Sequence, residues 1–153
     1  MHADYAPEAA ELLRILPEMA LAGWATLLMV LSPLARKRAG GLLGYLGLAG
    51  FVMGLAAAAI AHAHRGVAFG EMVVVDDFAT FFRMLTAAVG GLTVLSSLDY
   101  LRRERPVSGE YYALLLYSAA GQSLMASSGE LITIFIGLEI SSIASYVLVG
   151  CLR

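Results

Sequence analysis

The chain has 153 residues, 59% of them hydrophobic and 14% charged, where a soluble domain carries roughly a quarter charged residues. With a mean hydropathy of +0.78 this excludes an ordinary soluble globular domain and points to a membrane protein. Ten basic and twelve acidic residues nearly cancel, which leaves no bulk charge for nucleic acid as a partner; the lipid bilayer is the expected one.

Cys151 is the single cysteine, so neither an internal disulfide nor a cysteine metal site can form. The N-terminal stretch MHADYAPEAAELLRILPE is acidic, whereas a secretory signal begins with positive charge. The first hydrophobic segment is therefore expected to be retained. A helix needs about 20 apolar residues to cross a bilayer, and five runs meet that measure, at about 12–34, 41–63, 78–100, 111–128 and 131–152. The runs are continuous rather than alternating, which favours helices over barrel strands. The expected fold is all-α, a polytopic transmembrane helix bundle of about five spans forming one membrane domain over 1–153.

In the first span Glu18 lies near one end, and Arg83 and Asp99 sit near the ends of the third. Each is expected to anchor its helix by extending toward headgroups or water. The second span carries Gly40, Gly44, Gly47 and Gly54 at spacings of four, three and seven, along one helical face on which another helix can pack closely. At its end His62 and His64 are two apart. About 100° per residue turns them to nearly opposite faces, so they read as interfacial side chains rather than metal ligands. The breaks SPLARKRAG, HAHRGVAFGEMVVVDD and LRRERPVSGE combine proline, glycine and charge and read as loops. The fourth connection, SSGE, is short enough to make the last two helices antiparallel neighbours.

Loop charge predicts an orientation. Arg36, Lys37 and Arg38 follow the first span, Arg102, Arg103 and Arg105 the third, and Arg153 the fifth, so all belong on the cytoplasmic side. Asp4, Glu8, Glu11, Glu71, Asp76, Asp77 and Glu130 then share the opposite side with the N-terminus.

Glu139 is the one acidic residue deep inside a span. It lies nine residues beyond Glu130, about 13 Å along a helix and near the middle of a hydrocarbon layer about 30 Å thick. A charge there costs at least about 2.5–3.5 kcal/mol, so the carboxyl group must be protonated, paired or turned to a hydrated cavity. Those are also the conditions for proton relay. Ser142 and Tyr146 follow at i+3 and i+7 on its face, and Ser118 and Gln122 lie one turn apart on the preceding helix, a set that can form a polar, water-holding patch. The alternative for Glu139 is a hydrogen bond to a neighbouring helix. Glycine-rich phosphate loops, metal-ligand clusters and nucleophile triads are absent from the sequence.

The motifs GEYYALLL at the head of the fourth span, LMAS with ELITIF around the fourth turn, GLE at Glu139, and ILPEMALAG in the first span together resemble the antiporter-like subunit N of NADH-quinone oxidoreductase, the respiratory complex I family. The resemblance runs from about Leu12 to Arg153. It implies a membrane subunit of a proton-translocating enzyme that couples quinone reduction to proton transfer, in the bacterial inner (plasma) membrane with its N-terminus on the periplasmic side. Its partners would be the other membrane subunits of complex I. Glu139 takes the position of the family's relay glutamate, which is paired with lysines on later helices.

The family's subunits have about fourteen helices built around two inverted five-helix repeats, so this chain is expected to cover the leading helices as an N-terminal portion. Lys37 is its only lysine and lies in a loop, and Ala144 stands where many relatives carry a proline. An isolated chain without the family's lysines is expected to be inactive as a pump. No flavin, iron–sulfur or haem ligand set is present, so no cofactor is expected in this chain; NADH, FMN, iron–sulfur clusters and quinone would belong to the parent complex. A small non-catalytic membrane scaffold is the competing reading. Related antiporter-like subunits of cation/proton antiporters and of membrane-bound hydrogenases also share the mid-membrane glutamate.

Overall fold

A computed structural model describes residues 9–33, 40–104 and 109–151. The basic residues Arg36, Lys37, Arg38, Arg105 and Arg153, and the acidic Asp4 and Glu8, lie outside the described residues, as does the side chain of Asp99. The chain folds as α1 (Ala9–Arg14), α2 (Leu16–Leu31), α3 (Gly40–Ala63), β1 (Gly66–Ala68), β2 (Val73–Val75), α4 (Asp77–Glu104), α5 (Gly109–Ala126) and α6 (Leu131–Cys151). It is an all-α bundle with one small hairpin at one end.

The first expected span is two helices. Leu16 precedes Pro17, and proline both lacks an N–H and disfavours helical geometry in the residue before it. α1 therefore ends at Arg14 and α2 restarts with the proline in its first turn, where the missing N–H costs nothing. At 16 residues α2 is about 24 Å long, less than the hydrocarbon layer, while α3, α4 and α6 are each long and apolar enough to cross.

α5 is the central pillar. It packs against α2, α3, α4 and α6, and its fully buried Tyr112, Ala113 and Leu116 meet Leu21, Ala25 and Leu28 of α2, Leu43 and Phe51 of α3, and Ala87 and Val94 of α4. The glycines of α3 make this closeness possible. A Cβ on Gly47 would lie 3.0 Å from Cβ of Tyr112, and one on Gly54 2.7 Å from Leu21 Cδ2; one on Gly44 would press on both Leu98 and the Tyr112 hydroxyl. The small-residue face thus meets α2 and α5, as the glycine spacing predicts. Gly40 opens α3, and its surroundings lie outside the described residues. Polar groups within the bundle find local partners: Trp24 Nε1 donates to the Leu46 carbonyl at 2.8 Å, and Thr26 Oγ1 lies 2.7 Å from the Tyr117 hydroxyl.

α6 packs on α5 alone among the helices it contacts extensively. Their crossing is a glycine pair: a Cβ on Gly121 would stand 2.6 Å from the Gly137 carbonyl oxygen, and a Cβ on Gly137 2.7 Å from that of Gly121. The two backbones are therefore in direct contact, with Ser118 Oγ 3.1 Å from Ser141 Oγ one turn away. The rest of α6 is open, including Ile132, Phe135, Leu138, Ile143 and Val149.

Segment 66–75, expected to be loop, is an antiparallel hairpin pairing Gly66 with Val75, Val67 with Val74 and Ala68 with Val73. Its turn uses left-handed backbone at Phe69, Gly70 and Glu71, of which only the glycine adopts that conformation freely. The hairpin is bound to the bundle on two sides. Val74 N–H donates to the Ser127 carbonyl at 2.7 Å and Gly129 N–H to the Met72 carbonyl at 3.0 Å. From α1, Arg14 donates to the carbonyls of His64 and Val67, and Glu11 accepts from Phe69 N–H.

Candidate functional site

Two ionisable sites stand out among the described residues, and the sequence singled out only one of them as a candidate. The first lies where α2, α4 and α5 meet beneath the hairpin. Glu18, in the first turn of α2, and Arg83, six residues into α4, form an ion pair whose side chains are only 8% and 1% exposed. Arg83 Nε donates to Glu18 Oε1 at 2.9 Å, with Nη2 also 2.9 Å from that oxygen. Ser123 Oγ donates to the same oxygen at 2.7 Å, and Ser127 Oγ approaches it at 3.4 Å. The serines are four residues apart, one helical turn, so α5 offers both hydroxyls from one face.

This corrects the expectation that Glu18 and Arg83 are separate anchors extending to headgroups or water. Each reaches inward to the other, because an opposite charge within hydrogen-bond distance is available at lower cost than a path out of the bundle.

The second cluster is Glu139. It is the ninth residue of α6, about 12 Å from Leu131 along the helix axis, on the open side of that helix. Gly137, Ser141 and Ala144 face α5, and Glu139 is turned away from them toward the exposed face that also carries Leu138, Ile143 and Tyr146, the last 74% exposed. It makes no hydrogen bond among the described residues. The structure brings Ser118 and Gln122 together, Gln122 Nε2 donating to Ser118 Oγ at 3.4 Å, but joins them to Ser141 rather than to Glu139. Ser142 is half-buried beside Glu139. The five residues thus divide: Ser118 and Gln122 belong to the α5–α6 seam, and Glu139, Ser142 and Tyr146 to α6 away from that seam.

The histidines make separate contacts. His62 bridges Thr80 Oγ1 at 3.1 Å and Arg65 at 2.8 Å, while His64 Nδ1 lies 3.0 Å from the Ile60 carbonyl. Among the described residues no three His, Cys, Asp or Glu converge to hold a metal. Nor do they offer the thiolate set that an iron–sulfur cluster requires.

A helical bundle with three helices long and apolar enough to cross a membrane, a buried ion pair and a carboxylate on an open helix face has the character of a membrane protein. No family model matches the chain. Among curated proteins it is 54% identical over 141 residues to NADH-quinone oxidoreductase subunit N 1 of Solibacter usitatus, a match covering 92% of this chain and 29% of that protein. It is 40% identical over 158 residues to subunit N 2 of Koribacter versatilis, covering 98% and 32%, and 39% identical over 132 residues to subunit N of Dehalococcoides mccartyi, covering 83% and 26%. The chain belongs to the NADH-quinone oxidoreductase subunit N family, and spans about 30% of the length of the relatives it matches.

Proposed function

We propose that this chain forms part of the membrane arm of a proton-translocating NADH-quinone oxidoreductase, and that Glu139 is a proton-relay group within it. The observation that carries this reading is the depth and direction of Glu139: a carboxyl group about 12 Å inside an apolar helix, on the one face of α6 that α5 leaves open. A lone carboxylate facing lipid there is costly. A further membrane helix bearing a basic group would stabilise its charge, and movement of that group would release it, so that protonation alternates with the partner's position. Membership of the subunit N family supports this reading, since an enzyme that reduces quinone in the membrane has a use for such a relay. NADH oxidation and the chemistry of FMN, iron–sulfur clusters and quinone are assigned to partner subunits of the complex.

Glu139→Gln tests the assignment, because it keeps size and hydrogen bonding and removes the titrating proton. In vesicles with matched content of the complex, protons taken up per NADH oxidised should fall well below the wild-type ratio while assembly is retained. An undiminished ratio and rate would leave Glu139 a helix-packing residue.

The proposed orientation places the N-terminus and the hairpin on the periplasmic side of the bacterial inner membrane. Single cysteines at Lys37 and at Asp76, in a background with Cys151 replaced by serine, should label from opposite sides with an impermeant maleimide. Labelling from one side would overturn that topology.

A further inference from the structure

The Glu18–Arg83 pair is incompletely satisfied. All the contacts to Glu18 converge on Oε1; Oε2 is buried without a hydrogen-bond partner, as is Nη1 of Arg83, while Nη2 lies 2.9 Å from Oε1 in the ion pair but is not aligned to form a hydrogen bond with it. Buried charged atoms are almost always hydrogen-bonded, to protein or to ordered water, because an unmade bond of this kind costs about 1–3 kcal/mol or more. Here an acceptor and donors stand unpartnered within one ion pair. A cation placed at Oε2 would be repelled by the adjoining guanidinium, and an anion placed at Nη1 by the adjoining carboxylate. A small neutral molecule that both donates and accepts suits both ends.

We infer that an enclosed water site lies at the Glu18–Arg83 pair, with water donating to Glu18 Oε2 and accepting from the Arg83 Nη groups. A carboxylate oxygen and two guanidinium nitrogens give it the two to four polar partners that a buried water needs. Ser123 and Ser127 hold Oε1, which leaves Oε2 to the water, and the hairpin strand bonded to Ser127 and Gly129 closes that end of the bundle over it. The water completes the hydration of a pair shared by α2, α4 and α5, so its place is structural and does not depend on the role proposed for Glu139.

The test is high-resolution electron cryo-microscopy of the membrane assembly that contains the chain, in lipid nanodiscs. The expected result is at least one rounded density peak within about 3.2 Å of both Glu18 Oε2 and an Arg83 Nη atom. That peak should disappear in the Glu18→Leu/Arg83→Leu double variant. Three results would overturn the inference: direct protein or lipid contacts satisfying these atoms, density persisting in the double variant, or no peak in a map that resolves comparably buried waters elsewhere. Should the double variant fail to assemble, the wild-type map alone decides.

Discussion

Arg83→Leu is expected to destabilise the bundle by about 3–5 kcal/mol, the largest effect of any single substitution considered. It removes the positive charge and leaves the Glu18 carboxylate buried with only the hydroxyls of Ser123 and Ser127. Glu18→Leu should act comparably by stranding the guanidinium. The double variant Glu18→Leu/Arg83→Leu is expected to recover most of that loss, since a buried pair replaced by apolar side chains of similar volume is often neutral. Thermal unfolding of the purified subunit in detergent, with the four proteins forming a double-mutant cycle, measures the coupling between the two sites. A strictly additive cycle would show that the pair is not held as described.

The second large effect is expected at the α5–α6 crossing. Gly121→Leu would drive a side chain into the Gly137 carbonyl and the Ser141 amide, which are backbone atoms and cannot turn aside. The helices must separate, at a cost of about 1–3 kcal/mol for overpacking and with loss of the Ser118–Ser141 contact. Cysteines at Ser118 and Ser141, with Cys151 replaced by serine, should cross-link readily in the parent and poorly with Gly121→Leu. Gly150→Ala is the control, because a Cβ there meets nothing within 4 Å. Equal cross-linking in parent and Gly121→Leu would mean that α6 sits elsewhere.

The elements legible in the sequence are those set by local pattern. The apolar runs, the place of Glu139 near the middle of α6 and the packing face formed by Gly44, Gly47 and Gly54 all follow from counting residues along a helix. What escaped reading depends on contacts between distant segments. Glu18 and Arg83 are 65 residues apart, and nothing in either neighbourhood distinguishes an inward-paired charge from one that extends to the interface. The retrospective signal is Ser123 with Ser127, two hydroxyls on one face near the end of α5. The hairpin escaped because its strands are three residues each and its turn places Phe69 and Glu71 in conformations that their side chains do not favour. The β-branched run Val73, Val74 and Val75 was its one local cue. Division of the five polar residues between the α5–α6 seam and the rest of α6 follows from the Gly121–Gly137 crossing, which fixes the rotation of α6.

The separation of the ion-pair partners also sets an order of assembly during biosynthesis. At synthesis rates of about 5–20 residues per second, the 65 residues between Glu18 and Arg83 take about 3–13 s to make, and Ser123 follows later still. For that interval the Glu18 carboxylate of α2 lacks the guanidinium with which it pairs in the finished bundle. α2 can therefore complete this contact only once α4, with its guanidinium, has been synthesised. Its final seating is a late event, although it is the first of these helices to be synthesised.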